Sequence, residues 1–374
     1  MENTKEPVKV LYFVDRMLRG GIQTFVLENW RHMDHNKVQI DFLLLDDGNT
    51  YELEDTLRGL GSRIYKLKGI WVKKPNDFFS YRRAVDAFFK VHHDYRVVHL
   101  HSTSKNYMVL KCAKKYGIPV RIAHSHCNAF QTTSKAQILI GNLFKPLLKY
   151  YATDYFACSE DAGRWLFGEE KITVIKNAVD IDKYRYEPIK ADCMRKKLKL
   201  DGKKVVGHVG RFTYQKNHTF LIDIFKELVE LDSDYRLLLI GEGALEEQIK
   251  IKAKTYGVEN KIIFAGFKSN VEDYMQAMDL FVFPSETEGL GLVLIEAQAA
   301  GLPCYTSEKV VPQEAKVSDL LMYIPLEDGP KMWAEQIDKT WKKFKRETPE
   351  DDIEERGYSI VETAKQLERY YLEH

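Results

Sequence analysis

Phe283-Pro-Ser-Glu-Thr-Glu-Gly-Leu-Gly-Leu-Val-Leu-Ile-Glu-Ala-Gln-Ala-Ala-Gly-Leu-Pro303 is the stretch from which the rest of the chain can be read. The apolar run Asp279-Leu-Phe-Val-Phe283 leads into it and Pro284, Gly289 and Gly291 follow, so the chain should leave a buried strand, loop, and enter a helix near Leu292. The start of a helix presents unpaired N–H groups and a partial positive charge, and glycines let a ligand approach the backbone closely. Glu288 falls in the mouth of such an anion site and Glu296 about one turn into the helix. Two carboxylates beside an anion site suit a ligand with hydroxyls to be held as well as phosphates to be neutralised, as in a nucleotide sugar.

With 374 residues the chain is longer than most single cores support, so two domains are expected. A formal net charge of +1, with 30% charged and 44% hydrophobic residues, describes a globular protein and excludes bulk nucleic-acid binding. The five cysteines are odd in number and without close pairs, which argues against both a disulfide framework and a zinc site and points to a reducing compartment. The first residues lack the apolar core of a signal peptide, and no run reaches the roughly 18 apolar residues of a membrane span. A cytoplasmic location is expected, with any membrane contact peripheral.

Working outward, short β-branched runs alternate with helical patterns along most of the chain. Val8–Phe13 is followed by Gly20-Gly21 and then by apolar residues at helical spacing from Ile22 to Trp30. Strands are predicted at 38–45, 63–67, 97–101 and 120–124, with helices at 79–89 and 108–116. The pattern restarts with a strand at 205–210, a helix at 220–231, and strands at 236–240, 262–265 and 280–283. Alternation of this kind implies parallel sheets covered on both faces, here two Rossmann-like, doubly wound α/β domains with a ligand cleft between them. The predicted boundaries are 1–175, a polar linker 176–203, 204–350, and a terminal amphipathic helix, 351–374, that crosses back toward the first domain.

In the second domain, Gly210-Arg-Phe-Thr-Tyr-Gln-Lys-Asn217 follows the first strand and carries Arg211 and Lys216 to the strand's C-terminal end. A planar guanidinium and a mobile ammonium together suit a diphosphate. These motifs, with Gly20-Gly21, Gly241-Glu-Gly243, Phe264-Ala-Gly-Phe267 and the Glu288 to Glu296 spacing, resemble glycosyltransferase family 4, retaining enzymes of the GT-B fold. Asp154-Tyr-Phe-Ala-Cys-Ser159 and Ala162-Gly-Arg-Trp-Leu-Phe-Gly168 resemble the branch that builds capsular polysaccharide and exopolysaccharide. The resemblance runs nearly end to end and implies an N-terminal acceptor-binding domain and a C-terminal donor-binding domain.

The resemblance also implies roles. Arg211 and Lys216 would hold the donor diphosphate, Glu296 the ribose, and Glu288 with the backbone of Gly289, Leu290, Gly291 and Leu292 the transferred sugar. Phe267 and Lys268 would lie beside the base, and Gly20 and Gly21 would close over the phosphates. One histidine of Ala123-His-Ser-His126 would face the reacting sugar; strand alternation puts His124 and His126 on the same face, leaving open which one. Arg211, Lys216 and the helix start would stabilise the leaving diphosphate where charge develops, so neither a metal nor a cofactor is expected. Asp180-Ile-Asp182 and Asp232-Ser-Asp234 have the spacing of metal-binding pairs but fall in the linker and a surface turn. No carboxylate of the first domain stands out as a nucleophile, which favours front-face attack. The expected donor is a UDP-sugar and the expected acceptor a saccharide, free or on a lipid diphosphate.

Two other readings compete: a nucleotide-sugar epimerase on the same scaffold, and a non-catalytic sugar-nucleotide-binding partner of another transferase. A nicotinamide dehydrogenase is disfavoured, because neither half has a full Gly-x-Gly-x-x-Gly turn with a later acidic residue. Between Asp94 and Asp154 there is no acidic residue but nine Lys and Arg, and residues 138–151 mix leucines with lysines. With the basic, aromatic segment 66–74, this predicts a first domain that rests on an anionic membrane.

Overall fold

Val8–Val14, the first strand, shows why this half folds as a layered sheet. Val10, Tyr12 and Val14 sit in one apolar cluster while Leu11 and Phe13 sit in another, so both faces of the strand are covered. Burial on both sides is the mark of a parallel sheet flanked by helices. The computed structural model describes residues 6–18, 20–67, 75–130, 132 and 134–374, without the side chains of 75–77. Within them the chain divides into two compact units, Met1–Ala178 with Ile360–His374, and Val179–Ser359.

The first unit has seven strands: β1 Val8–Val14, β2 Val38–Leu45, β3 Ile64–Leu67, β4 Val97–His101, β5 Val120–Ser125, β6 Asp154–Ala157 and β7 Thr173–Val174. All pair in parallel in the order β3-β2-β1-β4-β5-β6-β7. The second unit has six: β8 Lys204–Val209, β9 Tyr235–Ile240, β10 Ile262–Gly266, β11 Leu280–Phe283, β12 Cys304–Ser307 and β13 Leu321–Ile324. Their order, β10-β9-β8-β11-β12-β13, repeats that of the first unit and is again parallel. In each sheet the winding reverses direction once, between β1 and β4 and between β8 and β11. Ligands of open α/β sheets bind outside the carboxyl ends of the strands at that reversal.

Two expectations about the boundaries need correction. Residues 176–203, expected as a linker, contain the helices Ile181–Tyr184 and Pro188–Leu198, and Ile181, Tyr184 and Leu200 are buried in the core of the second unit. Pro188 opens its helix at the first turn, where its missing N–H costs nothing, and so marks a start rather than a break. The single terminal helix is two. Glu350–Glu355 buries Ile353 in the second unit, and after a turn Ile360–Glu373 buries Ala364, Leu367 and Tyr371 beside Val10 and Tyr12 of the first. Burying a side chain such as Leu367 contributes about 1.5–3 kcal/mol, which holds the terminal helix to the first sheet.

Candidate active site

In the second unit, the loops after β8 and β11 meet at the reversal of the sheet. The backbone N–H of Glu286 donates to the Gln215 carbonyl at 2.8 Å, and Asn217 Nδ2 donates to Glu286 Oε1 at 3.1 Å. Between these loops Lys216 Nζ pairs with Glu288 Oε2, and the ammonium lies 4.6 Å from the centre of the Phe283 ring. Arg211 is exposed and forms no ion pair among the described residues. The helix Leu292–Ala299 starts at Gly291, whose φ of 73° is left-handed and suits glycine, and no side chain caps it. Leu290 and Leu292 pack on the core, which leaves the backbone of 289–292 as the part able to meet a ligand. Glu296 lies in the same helix, half-buried.

The glycines near this site fall into two kinds. A Cβ at Gly241 would come within 2.1 Å of the Gly210 carbonyl oxygen, so packing of the β8 and β9 loops requires glycine there. A Cβ at Gly289 would meet no atom within 4 Å, and the same holds for Gly21. Gly20 is extended, with φ −177°, and its Cβ would meet only the flexible end of Gln23. Neither packing nor φ requires glycine at positions 21 and 289. Phe267, half exposed, donates its backbone N–H to Glu242 Oε1 at 3.3 Å, and Lys268 Nζ lies 5.6 Å over the Tyr274 ring.

The sequence reading missed two histidines beside these loops. His208 donates Nδ1–H to the Val282 carbonyl at 2.8 Å, and burial pulls its pKa down to about 4. His218, at the start of helix His218–Leu231, stacks 4.2 Å from Phe212, and burial followed by the nearby His208 and Lys216 takes it to about 2. His208 alternates with Val206 along the strand, which was the available signal.

The first unit gathers rings instead of charges. His99 and His101 on β4 stack 4.1 Å apart, as do His124 and His126 on and just after β5. His101, His124, His126 and Asp15 line one cavity of about 100 Å3 at the carboxyl ends of β1, β4 and β5. His124 and His126 therefore share a face and a cavity, His101 joins them there, and His99, outside the lining, has its Nε2 3.0 Å from His124 Nδ1. The pattern Val97-Val-His-Leu-His101 carried this signal by the same alternation that was used for 124 and 126. Burial is the main cause that pushes all four below the usual histidine range, His126 to about 3. Asp15 is a carboxylate of the first unit that the sequence reading passed over. It accepts from Ser102 Oγ at 2.6 Å and Asn106 Nδ2 at 2.7 Å, and pairs with Lys105 at 3.2 Å.

The acidic pairs have local partners. Asp180 caps Ile181–Tyr184, Asp182 pairs with Arg185, and Asp232 and Asp234 pair with Lys204 and Lys203. Part of the basic run between 94 and 154 is also spent locally: Lys105, Lys115 and Lys149 are in ion pairs, and Arg121 and Lys145 donate to backbone carbonyls. The apolar part is not spent. In helix Lys135–Tyr151, Leu139 and Leu143 are about 70% exposed (71% and 69%), and Ile140, Leu147 and Tyr150 extend the stripe. Residues 68–74 lie outside the described residues, and no helix among those described is long and apolar enough to cross a membrane.

Residues 19–183 match the model of Glycosyltransferase Family 4 and residues 190–343 that of Glycosyl transferases group 1. A putative glycosyltransferase of Bacillus subtilis, EpsF, is 31% identical over 97% of this chain and 96% of its own. The UDP-Gal:alpha-D-GlcNAc-diphosphoundecaprenol alpha-1,3-galactosyltransferase of Escherichia coli is 24% identical over 82% and 81%. Among solved structures, Anabaena Alr3699/HepE, in complex with UDP and glucose, superposes with a TM-score of 0.75 at 18% identity, covering 98% of this chain and all of that one. The motif resemblance, the two matched models and the two sheets of like order agree: this chain belongs to glycosyltransferase family 4 and has the GT-B fold.

Proposed function

We propose that this protein transfers a sugar from a UDP-sugar to a saccharide acceptor on a lipid diphosphate, with retained configuration and without a metal, in assembly of capsular polysaccharide or exopolysaccharide. The observation that carries this reading is the Lys216–Glu288 pair beside exposed Arg211 at the sheet reversal of the second unit. As the bond from sugar to phosphate breaks, its electron pair leaves with the diphosphate and positive charge develops on the sugar. Arg211, Lys216 and the uncapped helix start meet that new negative charge, in the role a metal ion plays elsewhere. Glu288 keeps Lys216 in place before the donor arrives. The acceptor hydroxyl attacks from the face the diphosphate leaves, and its proton passes to the departing phosphate oxygen. Asp15 is a poor nucleophile, because Ser102, Asn106 and Lys105 already engage it.

Gly289 and Gly21 fit the same reading: glycine that the fold does not need leaves room for a ligand against the backbone. Phe267 would lie beside the base, Glu296 on the ribose, and a cavity histidine, His124 or His126, toward the sugar. The exposed stripe of helix Lys135–Tyr151 suits the surface of an anionic membrane on its cytoplasmic side, where a lipid-linked acceptor is found; apolar area rather than surplus charge supplies most of that attraction. The E. coli relative's acceptor, a diphosphoundecaprenol sugar, and the UDP bound by HepE support the choice of substrates.

The purified chain, a panel of UDP-sugars and a lipid-diphosphate saccharide test this reading together. UDP release that requires acceptor, with an α-linked product from an α-linked donor and unchanged rate in EDTA, is the expected result. Epimerised donor, or no turnover with any donor, would move the assignment to the competing readings, and a trapped glycosyl-enzyme would replace front-face attack.

A further inference from the structure

Four imidazoles close on one another inside the first unit. His99 Nε2 lies 3.0 Å from His124 Nδ1, and His101 Nδ1 lies 2.9 Å from His126 Nε2. His99 stacks on His101 and His124 on His126, each at 4.1 Å, so the two bonded pairs lie one above the other. One ring nitrogen from each of His99, His101 and His124 comes within 4.8 Å of the other two. Packing does not account for this cluster, because leucine or phenylalanine would fill the same space without the cost of taking imidazole out of water. Contact with a ligand in the cavity does not account for all of it either, because His99 is fully buried and does not line the cavity. His101 Nε2, His124 Nε2 and His126 Nδ1 are buried with no hydrogen-bond partner among the described residues.

The spacing fits one ion. Two nitrogens bound at about 2.0–2.1 Å to the same tetrahedral ion are about 3.3 Å apart, so each pair has to open by only a few tenths of an ångström. The two layers have further to move, and rotation of the rings about Cβ–Cγ, a broad torsion, turns their lone pairs toward a common centre. Burial keeps the four rings neutral, the form in which imidazole binds metal ions. Their four protons then sit on the four outward nitrogens, and none is released. On His99 the outward nitrogen is Nδ1, 2.7 Å from Tyr371 Oη, which accepts its hydrogen bond and orients the ring as the outer shell of a metal site does. The other three belong to residues that line the cavity of about 100 Å3, which is large enough for water and gives an ion its way in.

We propose that His99, His101, His124 and His126 bind one divalent transition-metal ion of the zinc, nickel or cobalt type, which cross-links β4 to the end of β5. A set of imidazoles selects such ions over magnesium or manganese, which take oxygen ligands. Asp15, the one carboxylate of the cavity lining, supplies negative charge nearby. The ion has no part in the transfer step, and binding does not depend on the transferase reading. Without the ion the same rings pair by hydrogen bonds, so the fold does not require it. Bound, it stabilises the folded chain by mass action.

Titration calorimetry of the untagged, metal-stripped full chain with Zn2+ should find one ion per chain, with a rise in the unfolding midpoint. X-ray absorption at the zinc edge should show three or four imidazoles around the ion and no sulfur. The affinity should be unchanged in His92→Gln with His93→Gln, two histidines that precede the amino end of β4. It should fall roughly 100-fold or more in His101→Gln with His124→Gln, and roughly ten-fold or more in Tyr371→Phe, since losing even an outer-shell partner weakens a metal site by that much. Absence of stoichiometric binding overturns the site, as does sulfur or fewer than three imidazoles around the ion. An affinity unchanged in His101→Gln with His124→Gln, or in Tyr371→Phe, overturns it too and leaves adventitious binding at other side chains. Should the double variant not fold, the absorption spectrum of the wild type decides without any substitution.

Discussion

The two sheets reverse at equivalent places and fill those places with opposite chemistry. At the ends of β8 and β11 the second unit collects Arg211, Lys216 and Glu288, partly exposed and charged. At the ends of β1, β4 and β5 the first unit collects His101, His124 and His126 in a cavity lined by neutral rings, with Asp15 tied down at its edge. In the proposed transfer the cationic loop suits the departing diphosphate, where negative charge develops. In the same proposed reading the neutral cavity faces the sugar, where no phosphate has to be held.

The largest expected effect breaks the charged side. Lys216→Ala should lower kcat by roughly 100-fold or more, as loss of a preorganised charge donor does, and near-normal kcat in steady-state assays would remove Lys216 from the mechanism. Next, Leu143→Asp should weaken binding to anionic liposomes roughly ten-fold or more, since it deletes an exposed leucine and adds a repelled charge; co-sedimentation indifferent to this change and to salt would refute membrane docking. Glu296→Ala should weaken donor affinity roughly ten-fold, the worth of a charged hydrogen bond, and leave kcat nearly unchanged. Loss of kcat at constant donor affinity, read by calorimetry and kinetics, would contradict its place at the ribose.

The smallest effect separates the units by pH. A histidine whose pKa is lower folded than unfolded binds its proton more readily in the unfolded chain, so stability is retained above about pH 6.5 and lost as pH falls toward the folded value. Those values are about 3 for His126 and about 4 for His208. Each such group steepens the loss by about 1.4 kcal/mol per pH unit within its window. With four depressed histidines in the first unit and two in the second, the first should lose stability more steeply between pH 6 and 4, as followed by hydrogen exchange of each unit. Equal acid sensitivity would remove the contrast.

Most strands were legible because short apolar, β-branched runs and glycine turns are local. Val38–Leu45, Val97–His101 and Leu280–Phe283 fall where the pattern put them. Cys304–Ser307 and Leu321–Ile324 were not foreseen; half of the first is Thr306 and Ser307, and neither has a β-branched run like those that marked the others. On the charged side Arg211, Lys216 and Glu288 were marked by loops that follow strands, and Glu296 by its spacing from Glu288 in the helix that follows. The paired state of Lys216 and Glu288 was not, since 72 positions separate them. Asp15 and His99 were missed because neither stands in a loop motif: one ends a strand and the other hides within one.

The sequence alone determined two parallel α/β sheets, a cationic loop and a glycine-opened helix in the second, and a strand of alternating histidines in the first. Each of these depends on residues a few positions apart, where the backbone's own periods dictate which side chains share a face. Only the tertiary structure decided that Tyr12 meets Tyr371 across 359 positions, and that His99 stands between Tyr371 and His124. Strand order and the return of the terminal helix set those meetings, and the chain pays the entropy of closing such long loops only because the apolar face around Leu367 and Tyr371 is buried when they form.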